Sequence, residues 1–212
     1  MIRLVLFSFI LFTSVVCYGQ TSTKRIDSLL TIARTINDLD SSTQVLNITL
    51  KESKSINYAD GIASSILIHA VNLYNRGEFD KSLKVTFENE DLIFNTEDNA
   101  RIAHLLALRG NCYNNLFFFA ESQKSLQKAM IYAKKIKDND RRYFSIGRIY
   151  RITAANFRQD PKIKNIDSAL YYQKKSYDIQ SKIKNKETLY AGLIIQAAAI
   201  GELFFEKNKL DS

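Results

Sequence analysis

The sequence is short of the residues that form tight turns, with only seven glycines and one proline among its 212 residues. An average protein contains roughly 7% glycine and 5% proline. A β-sandwich, a barrel or a doubly wound sheet of this length needs many tight turns, and glycine and proline supply the backbone angles of those turns. The shortage excludes these folds and predicts an all-α protein.

Residues that carry metal or nucleophilic chemistry are also scarce. The chain has two histidines, His69 and His104, and neither has a second histidine four residues away. A zinc site needs three or four converging ligands, and no G-x-S-x-G, H-E-x-x-H, Walker or dinucleotide-binding motif occurs. We therefore expect no catalytic residue, no metal and no cofactor.

The charge is positive but dispersed. Thirty basic residues against 22 acidic ones give a formal net charge of +8, which is a reason to consider nucleic acid or an anionic surface as a partner. No run of five like charges occurs, however, and scattered charges are typical of solvated helix faces. We expect no nucleic-acid binding by this segment.

The first nineteen residues have the layout of a secretory signal peptide. Residues 1–3 are short and positive, residues 4–16 are almost wholly apolar, and the small residues Cys17 and Gly19 precede Gln20. We expect a signal peptide at 1–19 and a repeat region at 20–212 that is exported, either periplasmic or membrane-anchored. An uncleaved anchor and acylation of Cys17 remain as alternatives. Cleavage leaves Cys112 as the only cysteine, which we expect to be buried.

Apolar residues recur at helical spacing through the rest of the chain and are interrupted by short polar breaks. The pattern predicts nine helices, near 22–37, 41–56, 59–76, 79–94, 99–115, 118–137, 140–158, 165–184 and 186–207. The helices repeat in pairs, because Phe79 and Ser82 align with Phe119 and Ser122 forty residues later. A period of this length indicates stacked helical hairpins.

The repeated residues resemble the tetratricopeptide repeat, whose pattern runs W-x2-L-G-x2-Y, then A-x3-F, then P. The clearest copy contains Gly110, Tyr113, Phe119, Ser122 and Ala129. Further copies contain Gly147, Tyr150 and Ala169, and then Gly201 and Phe204. The chain lacks the tryptophan and the terminal proline, and it has about ten extra residues around Pro161. The resemblance implies a right-handed superhelical solenoid of antiparallel helix pairs, with repeats near 22–56, 59–94, 99–137 and 140–184 and a partial repeat at 186–212.

Three of these glycines lie in helix interiors, where glycine costs roughly 1 kcal/mol relative to alanine. We therefore expect Gly110, Gly147 and Gly201 to be approached closely by a neighbouring helix. Ser122 and Ala169 are the expected small residues on the second helices. The aromatic residues Tyr113, Tyr150, Phe117 and Phe119 are expected to enter the interior.

In the repeat family the first helix of each pair lines a groove that binds extended peptides or partner helices. The residues predicted to face this groove are His104, Asn111, Asn114, Asn115, Arg141, Phe144, Arg148 and Arg151. Asparagine can bond a peptide backbone and arginine can bind a carboxylate through two hydrogen bonds, so we expect a protein or peptide partner with acidic groups. The alternative is that the arginines only solvate their helix and pair with nearby acids.

The resemblance implies a non-catalytic interaction module, of the type at the exported front end of bacterial helix-turn-helix regulators and sensor kinases. The last helix lacks the partner that would cover Leu193, Ala197, Ile200 and Phe204, which favours a chain truncated after Ser212; an apolar end that dimerises is the alternative. Contact with a membrane is expected only through the signal peptide or a missing C-terminal segment. The rival functions are a free-standing periplasmic or envelope scaffold and an accessory to a carbohydrate- or peptide-handling enzyme.

Overall fold

The structure is a computed structural model that describes residues 22–210, with their side chains except those of residues 186–192, 195 and 210. Every regular element in this range is a helix, and no strand occurs between residues 22 and 210. The part of the chain that the structure describes is therefore all-helical, as the composition predicts. The predicted signal peptide at 1–19, with Cys17, lies outside the described residues.

The chain divides into two compact units, one that ends at Thr96 and one that begins at Glu97. From residue 22 onward the first unit contains five helices: α1 (22–35), α2 (Leu39–Ser55), α3 (Ala59–Asn75), α4 (Phe79–Glu88) and α5 (Glu90–Phe94). Its helices α1 and α2 share a buried core of Ile26, Leu30, Ala33 and Leu46. Asp38 begins α2, because its carboxylate accepts a hydrogen bond from the Ser41 N–H at 2.9 Å.

The second unit contains α6 (Asn99–Asn115), α7 (Phe119–Lys134), α8 (Asn139–Gln159), α9 (Ile166–Gln180) and α10 (Lys186–Leu210). Side chains of Asp98, Asp138 and Asn165 cap the first turns of α6, α8 and α9 by accepting backbone N–H groups. Such residues are preferred at helix starts because the first four N–H groups have no partner within the helix. Helices α6 and α7 pack together as a hairpin, as do α8 and α9, and α10 packs on α9.

The helix positions follow the sequence pattern closely, with one interruption. The helix expected near 79–94 is two helices, because Asn89 leaves the helical conformation at φ −119° and ψ 17°. Pro161 lies in the connection between α8 and α9, where the enlarged loop was predicted.

A serine on the second helix of a pair repeatedly donates its hydroxyl to a backbone carbonyl of the first. In the first unit Ser42 donates to the carbonyl of Ala33 at 2.7 Å and Ser82 donates to that of Ala70 at 2.8 Å. In the second unit Ser122 donates to the carbonyl of Gly110 at 2.7 Å. These serines are fully buried, so the forty-residue spacing marks the points where two helices approach most closely.

The glycines of the second unit differ in what surrounds them. A Cβ added to Gly110 would lie 2.8 Å from Leu126 Cδ2, which confirms a close approach. Gly147 is also crowded, but by Gln180, and its carbonyl accepts from Ser176 at 2.7 Å. Ala169 is fully buried, but the small residue of α9 that contacts Gly147 is Ser176.

The expectation for Gly201 is wrong within the described part of the chain. A Cβ added there would meet nothing within 4 Å, and the residue is exposed. Phe204, the aromatic residue of the same repeat copy, is 43% exposed. The Lys174 ammonium lies 4.8 Å from the centre of its ring.

A buried polar network joins α6, α7 and α8. The Ser122 hydroxyl donates its one hydrogen bond to the Gly110 carbonyl, so its oxygen accepts from Asn156 Nδ2 at 3.0 Å. Asn156 Oδ1 in turn accepts from Asn114 Nδ2 at 2.7 Å. A hydroxyl has one proton and an amide has both donors and an acceptor, so the three bonds fix the orientation of each group. The network ties the last turn of α6 to the last turn of α8.

The aromatic residues pack mainly in pairs. Tyr113 contacts Phe118 edge to face at 6.4 Å, and Tyr150 lies 5.9 Å from Tyr172. Phe119 is half-buried, but Phe117 is 72% exposed, so the expectation that Phe117 enters the core is wrong. Phe117 forms the turn between α6 and α7 with a φ of +63°, a conformation that residues with a Cβ rarely adopt.

Candidate functional site

A cavity of about 560 Å³ lies between α6 and α8 within the second unit. Its α6 wall carries Ala100, Ala103 and Ala107, whose small side chains recur at helical spacing on one face and leave the space open. The rest of the lining is Arg101, His104, Asp138, Asp140, Arg141, Phe144, Ser145, Arg148, Ile183 and Asn185. We call this space the α6–α8 cavity, and its volume is within the range of small-ligand sites.

Two aspartates of α8's N-terminal region shape the cavity through backbone contacts. Asp138 Oδ1 accepts from the Arg141 N–H at 2.7 Å, which begins α8. Asp140 accepts from the N–H groups of Lys184 and Asn185, both at 3.1 Å. Asp140 thereby fixes the connection between α9 and α10 as one wall of the cavity.

A third aspartate holds one of the cavity arginines. Asp98 accepts from Arg141 Nη2 at 2.9 Å and from the Ala100 N–H at 2.8 Å. Burial opposes ionisation of this carboxyl, but the bonds from Arg141 and from the Ala100 N–H outweigh it and lower the pKa of Asp98. The guanidinium of Arg141 is therefore held at the mouth of the cavity by an ionised partner.

His104 contributes a neutral ring. Burial, and to a smaller extent the positive charge of Arg148, lowers the pKa of His104 to about 3. Its Nε2 atom is buried and has no hydrogen-bond partner among the described residues. Since His104 is uncharged near neutral pH, the charged groups at the cavity are Arg101, Arg141 and Arg148 together with Asp98, Asp138 and Asp140. Asp98 accepts from Arg141 and lies 3.7 Å from Arg101 Nη1, whereas Asp138 and Asp140 accept backbone N–H groups.

The structure brings together four of the residues predicted for the groove: His104, Arg141, Phe144 and Arg148. Phe144 is 50% exposed and presents an apolar surface there. The other four residues do not line the cavity: Asn111 and Asn114 are buried, Asn115 Nδ2 donates to the Asn111 carbonyl at 2.8 Å, and Arg151 is exposed outside it.

A sequence signal for the buried asparagine was present. Asn114 lies four residues after Gly110, which places both on one face of α6, the face that packs on α7. The α6 alanines and Asp140 were not predicted as site residues. The spacing of Ala100, Ala103 and Ala107 marked a face of small residues, but nothing local links Asp140 to residues 184 and 185.

No group of three or more histidine, cysteine, aspartate or glutamate side chains that could hold a metal occurs in the part of the chain that the structure describes. Cys112 is buried, as expected. Comparison of the chain with protein families, curated proteins and solved structures found no match.

Proposed function

We propose that this chain is a non-catalytic helical-repeat module of the tetratricopeptide type, with its helix pairs stacked as a right-handed solenoid. The α6/α7 and α8/α9 hairpins and the serine bonds to Gly110 and Gly147 support this proposal. They reproduce the small-residue contact between paired helices on which the resemblance depends. Modules of this architecture expose extended surfaces for binding.

The proposed partner is a protein or peptide segment with acidic groups, which binds in the α6–α8 cavity. The observation that carries this proposal is the convergence of Arg101, Arg141 and Arg148 on a space lined by alanines and Phe144. A carboxylate would bind the guanidinium groups, and an adjacent apolar side chain would lie against Phe144. Asp98 already accepts from Arg141, so a ligand carboxylate would bind Arg148 and share Arg141 with Asp98.

Charge-reversal variants of two neighbouring arginines on α8, Arg148 and Arg151, would test the site. We would screen an array of short peptides against the full chain and measure the affinity of the best binders by fluorescence polarisation. Arg148→Glu should weaken binding by about tenfold or more, a loss of about 1.4 kcal/mol. Arg151→Glu makes the same charge change one helical turn away, outside the cavity, and should retain binding.

Two results would contradict the cavity as the binding site. One is an array without preference for acidic peptides. The other is equal weakening by Arg148→Glu and Arg151→Glu, which would show that only the overall charge matters. Binding through exposed charges should also weaken as salt is added.

We further propose that the module is exported and forms the extracytoplasmic sensory part of a longer signalling protein, such as a helix-turn-helix regulator. A free-standing envelope scaffold is the second version. A ligand that favours one curvature of the repeats would shift the population of conformations that is passed onward. Sequencing the gene beyond the Ser212 codon separates the two versions, since the regulator requires an in-frame membrane helix and a DNA-binding domain.

A further inference from the structure

A basic face runs along the exposed side of α7. Its residues are spaced by three and four positions, which places them on one stripe of the helix. All of them are exposed: Lys124, Gln127, Lys128, Ile131, Lys134 and Lys135. The opposite side of α7 is buried in the second unit through Ser122, Leu126, Ala129 and Ala133. We refer to the six exposed residues as the α7 basic face.

The lysines of this face lack acidic partners. Lys124, Lys128 and Lys134 form no ion pair with any residue that the structure describes, whereas two arginines of α8 and a lysine of α10 pair with acids elsewhere in the second unit. Lys124 and Lys128 are four residues apart, a spacing at which like charges repel on a helix. Glu121, in the first turn, is the only acidic residue of α7. The lysines therefore do not stabilise the fold through ion pairs, and their charge fits a negatively charged partner.

This clustering of charge arises only when the chain folds. No run of five like charges occurs in the sequence, which is why the charge looks dispersed when it is read residue by residue. The helix brings four lysines to one side within about 17 Å along its axis. Such a cluster is the size that anionic lipid surfaces attract.

The side chains among the lysines favour a bilayer over a nucleic acid. Ile131 lies in the middle of the face and is 56% exposed, and Phe117 and Phe118 are exposed in the turn immediately before α7. Exposed apolar residues beside lysines are typical of helices that lie in the bilayer interface, where the lysines reach the headgroups and the apolar side chains enter the acyl boundary. The face contains no arginine, the residue best suited to forked hydrogen bonds with nucleic-acid phosphates and bases.

We propose that the α7 basic face binds the surface of an anionic bilayer, with its four lysines at the headgroups and Ile131 in the acyl boundary. Helix α7 would lie parallel to the bilayer plane over its length of about 24 Å. This contact is additional to the two expected from the sequence, the signal peptide and a missing C-terminal segment. No helix between residues 22 and 210 is both long enough and apolar enough to cross a membrane.

A single tryptophan on the face tests the contact directly. The chain contains no tryptophan, so Ile131→Trp in the full-length protein gives a fluorophore that reports only on the surroundings of position 131. Titration with vesicles of phosphatidylglycerol and phosphatidylcholine should shift its emission to shorter wavelengths, and vesicles of phosphatidylcholine alone should not. Ile163→Trp, at an exposed position of the α8–α9 connection, is the matched control and should show no shift with either kind of vesicle.

Two pairs of substitutions in the Ile131→Trp protein test the lysines. Lys124→Gln together with Lys128→Gln should raise the vesicle concentration for a half-maximal shift by about 25-fold, because each basic residue near an anionic surface strengthens binding by about fivefold. Lys162→Gln together with Lys182→Gln removes the same charge at exposed positions before and after α9 and should change that concentration little. Added salt should reverse the shift, and circular dichroism would check that all variants remain folded.

Three results would overturn the proposal. One is the absence of a shift of the Ile131→Trp emission with phosphatidylglycerol vesicles, and another is an equal shift with phosphatidylcholine alone. The third is equal weakening by the two pairs of lysine substitutions, which would mean that only the overall charge matters. If vesicles give no shift but a DNA duplex binds and the Lys124 and Lys128 substitutions weaken that binding, the face binds nucleic acid instead.

Discussion

The contact between Gly110 and α7 gives the sharpest test of the packing. Alanine at position 110 would gain about 1 kcal/mol of helix propensity. Its Cβ would, however, lie 2.8 and 2.9 Å from Leu126 Cδ2 and Cγ. Leu126 is only 3% exposed and cannot turn into solvent. Overpacking of this kind costs about 1–3 kcal/mol, so we expect Gly110→Ala to lower the free energy of unfolding by about 1 kcal/mol.

Gly201→Ala is the matched control, because it makes the same change in a helix interior where the added Cβ meets nothing within 4 Å. It should raise the free energy of unfolding by about 1 kcal/mol. Urea unfolding followed by far-UV circular dichroism would measure the two variants, which should differ by about 2 kcal/mol in opposite directions from the parent. If Gly110→Ala stabilises the protein as much as Gly201→Ala does, close packing is not the reason for glycine at position 110.

Two further predictions concern His104 and Phe117. Folding holds the pKa of His104 near 3, well below its ordinary value of 6.5. Between these two pH values the unfolded chain therefore binds one more proton than the folded chain. The free energy of unfolding should fall as the pH decreases through this window. His104→Gln should show a shallower fall, and an equal fall in both proteins, or an NMR titration of His104 near 6.5, would contradict the burial of the ring. Phe117→Gly should be about 1 kcal/mol more stable than Phe117→Ala in thermal and urea unfolding, because both remove the ring but only glycine relieves the φ of +63°; equal stability of the two variants would mean that the turn relaxes.

Local signals predicted most of the fold. Apolar periodicity and the short polar breaks placed the helices, and the spacing of Ser82 and Ser122 marked the hairpin contacts. These features depend on residues within one or two helical turns or within one repeat. The break at Asn89 was not predicted, because the apolar pattern continues across it and asparagine occurs in many helices.

The site was predicted only in part, because it depends on contacts between distant residues. Arg141, Phe144 and Arg148 recur on one side of α8, which a helical pattern predicts. The partner wall depends on Asp140 binding backbone groups 44 and 45 residues later, and nothing in the local sequence specifies that pairing. Ser176 was missed for a similar reason, since the enlarged connection shifts it out of the forty-residue spacing.

The bonds from Asp140 to Lys184 and Asn185 also act on the element that follows them. These N–H groups immediately precede α10, which is 25 residues long and extends about 37 Å from that point. A tilt of about 5° at the start of such a rod would displace its far end by about 3 Å. A ligand that draws the Asp140 carboxylate into the cavity would therefore shift the start of α10. Phe205, near the far end of the helix, would move by a larger distance.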